Sequence, residues 1–257
     1  MHSLETHRIV LAMLLALTAA LANVAGGSLV ARRVWSRHYL KYFIALGAGF
    51  MLATAMLEMI PESVRLRAPA GSVFFDSSEI VFLLVLGGYF LVHFFEHALA
   101  PHFHFGEETH REEISHAHAS SAALLGLAIH SFFDGVAIAS GLLVSAWLGG
   151  VIFMAIILHK MPEGFTVASL MIASGRGRAA ALLSSAILGA ATLLGVGLMF
   201  VLHRTVADAL PVTAGVTLYV AASDLIPEVN REPGVWVAVL VFLGVAMLLA
   251  LKALANA

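Results

Sequence analysis

The sequence contains no cysteine and very little charge. The absence of cysteine from its 257 residues excludes disulfides, thiolate metal sites and cysteine nucleophiles. Charged residues make up 12% of the chain, whereas a soluble domain usually carries about 25%. The net charge of -2 gives no indication of a nucleic-acid partner. With 60% hydrophobic residues and a mean hydropathy of +0.94, most of the chain requires an apolar solvent.

Apolar runs of membrane-spanning length recur along the chain. A helix needs about 20 apolar residues to cross the hydrocarbon layer of a bilayer. The runs predict an all-α, multi-pass protein of the cell membrane, with one transmembrane domain over 1–257. Its eight spans are 9–30, 40–60, 80–100, 121–144, 149–172, 179–202, 209–227 and 234–254. A signal peptide ending near 20–22 is the alternative for the first run, which is long and lacks a strongly basic start.

The basic residues in the loops and near the ends of the spans predict the orientation of the chain. Eight of them follow spans 1, 3, 5 and 7, namely Arg32, Arg33, Arg37, Lys41, Arg111, Arg176, Arg178 and Arg231. Five lie on the other side, namely Arg8, Arg65, Arg67, Arg204 and Lys252. Cytoplasmic loops carry the excess of Lys and Arg. Both termini are therefore expected outside the cytoplasm.

A histidine-rich segment at 101–119 is the one long polar loop between spans, and the same count places it in the cytoplasm. Its histidines are His102, His104, His110, His116 and His118, and four glutamates lie among them. A tract of this composition is a candidate for weak metal collection or sensing. A solvated linker is the alternative.

Two fifteen-residue segments of the chain repeat, 48–62 (AGFMLATAMLEMIPE) and 214–228 (AGVTLYVAASDLIPE). They align without gaps with seven identities, and each ends in acid-x-x-Pro-Glu. Because spans 2 and 7 cross in opposite directions, this pattern indicates an inverted-topology repeat, which many secondary transporters contain. Chance similarity between two apolar helices is the alternative, and the shared Pro-Glu at one register argues against it.

A second pair of motifs lies in spans 4 and 5. His130-Ser-Phe-Phe-Asp134-Gly and His159-Lys-Met-Pro-Glu163-Gly each place a carboxylate four residues after a histidine. Residues i and i+4 share one helix face, so each helix presents an imidazole beside a carboxylate. Unpaired charges are costly in the bilayer centre. Since the two spans are antiparallel neighbours joined by a short loop near 148–150, the four side chains are predicted to converge on one divalent cation.

A site of two imidazoles and two carboxylates suits Zn²⁺. The same ligand set can also bind Fe²⁺, Mn²⁺ or Cd²⁺. Without a thiolate, binding is expected to be exchangeable, as transport requires. The metal is therefore predicted to be a transported substrate and not a cofactor, and the chain is not expected to be an enzyme. A proton-conducting bundle and a purely structural polar network are the alternatives. An intramembrane metalloprotease would need His-Glu-x-x-His on one helix, and the sequence lacks that string.

Ser131 and Lys160 lie beside the predicted ligands. An ammonium group in the membrane interior needs a carboxylate or a cavity. Lys160 is therefore expected to pair with Glu163 or another acid, or to stand where a second cation would bind. Pro162 removes a backbone hydrogen bond within span 5, which predicts a local irregularity at the site.

Further acids near the ends of the spans are weaker candidates. Glu58 and Asp224 lie in the outer third of their spans and are predicted to line an access or exit route. Glu62 and Glu228 lie at helix ends, where a solvated role is equally expected. Span 3 adds His93, Glu96 and His97, which are not predicted as ligands.

At these residues the chain resembles the ZIP (Zrt/Irt-like) family of metal transporters, as a prokaryotic-type member. The fourth span of that family carries His-Asn-x-x-acid-Gly, and the fifth carries His or Gln, an acid, x-Pro and Glu or His. By this resemblance His130, Asp134, His159 and Glu163 match the primary metal-site positions. The Pro-Glu endings of spans 2 and 7 also resemble the family, and the similarity covers all eight spans.

The resemblance implies eight helices in a 3+2+3 arrangement, outward termini, and movement of Zn²⁺ towards the cytoplasm. It also implies an elevator-like motion and often a homodimer. The chain departs from the family pattern at Ser131, which replaces the common Asn, and at Lys160, which replaces an acid that contributes to a second metal in many members. Span 6 has no acid. We therefore expect one metal in the pocket, with the Lys160 ammonium in place of the second cation.

Overall fold

The computed structural model describes residues 2–32, 40–67, 76–99, 117–230 and 235–255, and these residues are helical almost throughout, with no strand among them. Eight helical segments are long and apolar enough to cross a membrane. Six are unbroken helices: α1 (His2–Arg32), α3 (Ser77–Leu99), α4 (Ala117–Val144), α5 (Ala146–Ala173), α6 (Arg178–Val201) and α8 (Val235–Ala255). The other two contain a π-helical turn: α2 (Leu40–Thr54, Ala55–Met59, Ile60–Leu66) and α7 (Val206–Tyr219, Val220–Leu225, Ile226–Asn230). The predicted all-α, multi-pass fold is confirmed for these residues.

The connection between α4 and α5 is a single residue, Ser145, and not the loop predicted near 148–150. Ser145 has an extended backbone, and its hydroxyl accepts a hydrogen bond from the Leu148 N–H at 3.1 Å, which caps α5. The glycine at 149 serves packing and not a turn. A Cβ atom on Gly149 would lie 2.8 Å from the Leu142 nitrogen, so this glycine lets the two antiparallel helices approach closely.

Burial separates four inner helices from four outer ones. The inner helices α2, α4, α5 and α7 bury 67–72% of their most apolar stretch, whereas the outer helices α1, α3, α6 and α8 bury 17–44%. Each inner helix packs along one outer helix, giving the pairs α2/α8, α7/α3, α4/α6 and α5/α1. The two helices that carry the paired His and acid motifs are therefore both at the centre of the bundle.

The α2/α8 pair packs closely at two glycines, one on each helix, and each glycine faces the backbone of the other helix. A Cβ atom on Gly49 would lie 1.9 Å from the Val241 carbonyl oxygen, and one on Gly244 would lie 2.3 Å from that of Leu46. Neither distance leaves room for a side chain. Small residues of this kind let membrane helices pack backbone to backbone, where van der Waals contact stabilises them.

The α3/α7 pair repeats this arrangement at equivalent residues. A Cβ atom on Gly215 would lie 1.9 Å from the Val85 carbonyl oxygen, and one on Gly88 would lie 2.0 Å from that of Val212. Gly215 follows Gly49 by 166 positions, the shift of the sequence repeat, and α8 follows α3 by 156 positions at both contacts. The α2/α8 and α7/α3 pairs are thus two copies of one packing unit.

The central helices obey the same internal symmetry. Gly135 of α4 faces the Thr192 carbonyl oxygen of α6, and Gly164 of α5 faces that of Asn23 of α1, each with a built Cβ at 2.0 Å. The shift is 29 positions from α4 to α5 and 169 positions from α1 to α6. The predicted inverted repeat therefore corresponds to a pseudo-two-fold relation that extends over all eight helices.

Both π-helical turns lie just before the proline of a Pro-Glu motif. Proline has no N–H and clashes with the carbonyl four residues earlier, so a widened turn relieves the conflict. The turn at Ala55–Met59 precedes Pro61, and the turn at Val220–Leu225 precedes Pro227. In α2 the freed carbonyl of Leu57 accepts a hydrogen bond from the Lys252 ammonium at 3.3 Å. The two repeated segments therefore share a π-helical turn as well as a sequence pattern.

The two adjacent glycines of α3 provide a test of the close backbone packing between α3 and α7. Gly88→Ala is expected to destabilise the protein by about 1–3 kcal/mol, because its Cβ has no space against α7. Gly87→Ala is the matched control, since nothing lies within 4 Å of its built Cβ. Alanine is also the better helix former, so this variant should be neutral or slightly stabilising. Thermal unfolding in detergent, followed by circular dichroism, measures both; equal melting temperatures for the two variants would contradict the packing.

Candidate metal centre

The structure brings the four predicted ligands together in the bundle centre. His130 and Asp134 on α4 and His159 and Glu163 on α5 each offer one ligand atom, and these atoms lie within 4.8 Å of one another. All four side chains are buried. The one-residue connection between the helices explains the match in depth, because His130 lies 15 positions before Ser145 and His159 lies 14 positions after it.

Three of the four residues form a regular triangle of ligand atoms. Nε2 of His130 and Nε2 of His159 are 3.3 Å apart. Oδ2 of Asp134 lies 3.3 Å from each of them. An ion with tetrahedral bonds of about 2.0–2.1 Å holds its ligand atoms about 3.3–3.4 Å apart. The triangle therefore has the edge length of one face of a tetrahedral zinc site before any side chain moves.

Glu163 is held differently from the other three residues. Its Oε2 accepts a hydrogen bond from the Lys160 ammonium at 2.6 Å, and its Oε1 accepts one from the Ser131 hydroxyl. Lys160 also lies 2.7 Å from Oδ2 of Asp134 and donates to the Ser131 oxygen at 2.9 Å. The ammonium thus pairs with both carboxylates, as expected from the sequence. The arrangement leaves Glu163 beside the triangle, within reach of it, with its charge neutralised locally.

The two imidazoles are oriented to different degrees. Nδ1 of His159 lies 3.0 Å from the Ala155 carbonyl oxygen, which can only accept, so Nδ1 carries the proton and Nε2 directs its lone pair at the triangle. Nδ1 of His130 is buried with no hydrogen-bond partner among the described residues. The α5 ligand is therefore fixed in its tautomer, and the α4 ligand is not.

The irregularity predicted at Pro162 lies elsewhere in the structure. Helix α5 continues through Pro162 from Ala146 to Ala173, and the π-helical turns are in α2 and α7 instead. The Gly164 carbonyl that follows the motif accepts a hydrogen bond from the Ser185 hydroxyl of α6 at 3.1 Å. Side chains, and not exposed backbone, therefore form this centre.

The predicted route residue Glu58 lies in a polar junction near one end of the bundle. Its carboxylate is 2.7 Å from the Lys252 ammonium of α8 and accepts a hydrogen bond from the Trp147 indole N–H at 3.2 Å. Glu62, one turn later, is 3.3 Å from Arg65. The sequence marks Lys252 only as a basic residue near the end of span 8. The one signal for its role is the shift of 156 positions that relates α3 to α8.

Asp224 is the equivalent of Glu58 in the other half and lies near the opposite end of the bundle. It is buried, whereas Glu228 is partly buried at the end of α7. Asp224 lies near Glu96 of α3. Oε2 of Glu96 accepts a hydrogen bond from the Tyr219 hydroxyl at 2.8 Å. The sequence makes Glu96 a weaker candidate only and does not predict it as a ligand. Nδ1 of His97 lies 2.9 Å from the His93 carbonyl oxygen, one turn earlier in α3.

The predictions for the histidine-rich loop lie largely outside the described residues. His102, His104, His110 and His116 belong to that undescribed segment, and His118 falls in the first turn of α4. Metal collection by this loop stays a prediction.

Comparison with known proteins identifies relatives of the chain. The family model for ZIP zinc transporters matches residues 119–252, a region that includes both motifs. Zinc transporter ZIP13 of Pongo abelii is 28% identical over 210 residues, which cover 77% of this chain and 61% of that protein. Zinc transporter ZIP13 of Gallus gallus is 32% identical over 123 residues, covering 44% and 32% respectively. Zinc transporter zipt-7.1 of Caenorhabditis briggsae is 23% identical over 242 residues, covering 74% and 62%.

These matches agree with the family that the motifs indicated. The chain spans about three fifths, or less, of the length of these relatives. The family and each of these relatives are named as transporters, in line with the expectation that the chain is not an enzyme. The family match covers just over half of the chain, and the eight apolar helices accompany it. The chain therefore belongs to the ZIP zinc transporter family.

Proposed function

We propose that this chain carries a divalent cation, Zn²⁺ first, across the membrane towards the cytoplasm through the pocket between α4 and α5. The observation that carries the proposal is the triangle of His130, His159 and Asp134 ligand atoms with edges of 3.3 Å inside a membrane-spanning bundle. Three ligands leave the fourth tetrahedral position open, to Glu163 or to water. An open position is what an ion needs to enter and leave.

The ligand set favours zinc without excluding related ions. Imidazole nitrogens and carboxylate oxygens suit Zn²⁺ and are acceptable to Fe²⁺, Mn²⁺ and Cd²⁺, so cage geometry and access decide between them. No thiolate is present to bind the ion permanently, since the chain has no cysteine. The names of the relatives support zinc as the first metal to test.

Charge favours a single ion in the pocket. With neutral histidines, Asp134, Glu163 and Lys160 sum to one negative charge, so one dication brings the buried site to one positive charge. A second dication would bring it to three, in an environment where each unpaired charge is costly. The Lys160 ammonium lies between the two carboxylates, where a second ion would otherwise bridge them.

The remaining parts of the proposal concern the route and the assembly. Glu58 and Asp224 lie in polar junctions at opposite ends of the bundle, and we assign them to the access and exit ends of the route. The basic-residue count and the family resemblance support outward termini and inward movement. The 3+2+3 arrangement, the elevator-like motion and the homodimer stay predictions from that resemblance.

Removal of two ligands tests the proposed transport. His130→Ala with Glu163→Ala is expected to lower the initial rate of radioactive zinc uptake into proteoliposomes by more than about tenfold, since even partners of metal ligands contribute 10–100-fold in affinity. His203→Ala, an exposed histidine outside the pocket, is the control and should transport normally. Uptake by the folded double variant at the wild-type rate would exclude the pocket. A zinc-independent proton flux, followed with an internal pH dye, would instead favour a proton-conducting bundle.

The number of ions in the pocket depends on Lys160. Wild-type protein is expected to show one zinc ion near His159 by anomalous diffraction at the zinc edge. Lys160→Asp is expected to show two, because it replaces the ammonium with a third carboxylate. Lys160→Arg, which keeps the positive charge, is the matched control and should hold no more than one. Two ions in the wild-type pocket would refute the role assigned to the ammonium.

A further inference from the structure

The helix hairpin that carries the metal-ligand motifs packs on α2 in a regular antiparallel register. At one end of this interface, the Trp147 indole N–H of α5 donates to the Glu58 carboxylate of α2 at 3.2 Å. Further along, a Cβ atom on Gly47 would lie 3.5 Å from the Leu158 Cβ. Eleven positions separate the two contacts on each helix, or about 16 Å along the helix axis. Because Leu158 directly precedes His159, the interface runs from the hairpin end of the bundle to the depth of the pocket.

The interface between these two contacts is apolar. Val151 lies one turn after Trp147 and two turns before Leu158, on the same face of α5. It is only 4% exposed and belongs to one buried apolar cluster with Phe50 of α2. The hydrogen bond to Glu58 therefore lies at the outer edge of an apolar interface that leads towards the metal ligands.

Helices α2 and α5 pack less closely on each other than on their outer partners. A Cβ atom on Gly49 of α2 would lie 1.9 Å from the backbone of α8, and one on Gly164 of α5 would lie 2.0 Å from that of α1. The 3.5 Å distance at Gly47 is an ordinary van der Waals contact. The four predicted ligands are buried, so an ion reaches them only if helices part. The α2/α5 interface can part without breaking the close backbone contacts of either helix.

Lys252 makes the contact at the edge of this interface reversible. Its ammonium lies 2.7 Å from the Glu58 carboxylate and donates to the Leu57 carbonyl oxygen at 3.3 Å. Lys252 belongs to α8, which packs backbone to backbone on α2, so Glu58 keeps its counter-charge when α5 moves away. A carboxylate left unpaired there would be costly. Trp147 is 37% exposed and lies two residues after the hairpin turn at Ser145, where water can replace Glu58 as the acceptor.

We propose that the hydrogen bond from Trp147 to Glu58 is a latch that holds the α2/α5 interface closed at the hairpin end of the bundle. Release of the latch lets α5 part from α2 and opens the way past Val151 to the pocket, while Lys252 keeps Glu58 neutralised. The role of the latch in transport rests on the proposed function. With outward termini, the hairpin end faces away from the cytoplasm, and the latch controls access of the ion from that side.

Because the chain has no cysteine, a single reporter thiol can test the latch. Val151→Cys places the thiol in the closed interface, and its reaction with a hydrophilic methanethiosulfonate reagent is followed in the full-length protein in detergent. Trp147→Phe removes the N–H and keeps an aromatic ring. Adding it should raise the reaction rate about threefold or more, because the closed state loses one hydrogen bond. Trp236→Phe, at a tryptophan that is 68% exposed on α8, is the matched control and should leave the rate unchanged.

Two further measurements distinguish a latch from general loosening of the bundle. Met171→Cys, a reporter buried near the other end of α5, should react no faster when Trp147→Phe is added. Glu58→Gln should also speed the reaction at Val151→Cys, since a neutral acceptor binds the N–H less strongly. Combined with Trp147→Phe it should give no further increase, because both changes act on one bond. Unchanged rates at Val151→Cys in both single variants, a faster reaction at Met171→Cys, or multiplied effects in the combination would each overturn the latch.

The latch and the proposed transport give separate readouts. Zinc uptake by the wild-type protein is measured in parallel in proteoliposomes. If uptake is absent while Trp147→Phe still speeds the reaction of the reporter thiol, the latch stands and the proposed transport does not. If uptake is present while the reaction rates stay unchanged, the transport stands and the latch does not.

Discussion

The structure of the pocket depends on the ion pairs of one lysine. Lys160 is fully buried, and its ammonium lies 2.7 Å from Asp134 and 2.6 Å from Glu163. Without that charge, two carboxylates from adjacent helices would face each other inside a membrane, where the repulsion between them is poorly screened. With it, Asp134 can keep the position that completes the triangle with the two imidazoles. The ammonium therefore holds the proposed cation site in shape without a cation.

The glycine contacts between the inner and outer helices explain why the pocket can lie so deep in the bundle. Gly135 and Gly164 follow the two acids directly, and each presses against the backbone of an outer helix. Each glycine lies about 100° around its helix from the preceding acid, and there the backbones of the inner and outer helices meet without bulky side chains between them. Such close packing fixes the rotation of each helix, and with it the direction in which the ligands one residue earlier project. These glycines therefore contribute to the site through helix packing, although they are not predicted ligands.

Much of this arrangement could be predicted from the sequence, because it follows from spacing. Each His-x-x-x-acid motif places its two side chains on one helix face, and a hairpin brings the two motifs to similar depth. The fifteen-residue repeat predicts the inverted topology. The position of Glu163 could not be predicted, since it depends on where a flexible lysine places its ammonium. The irregularity was expected at Pro162 but lies before Pro61 and Pro227, because a helix tolerates a proline where neighbouring groups adjust to it. The α3 and α8 relation was hidden because its key residues, Glu96 and Lys252, have opposite charge.

The two halves of the repeat differ in charge at a few positions, and these positions stand out because the rest of the repeat is regular. The residues that would hold the transported ion are chemically matched across the pseudo-two-fold: histidine with histidine, and Asp134 with Glu163. Two lysines inside the bundle are not matched, since Lys160 is equivalent to Ser131 and Lys252 to Glu96. A perfectly symmetric inverted repeat would present the same electrostatic environment to an ion from either side of the membrane. Two unmatched ammonium groups, one in the pocket and one at a single end of the bundle, remove that equivalence while leaving the ligand geometry intact.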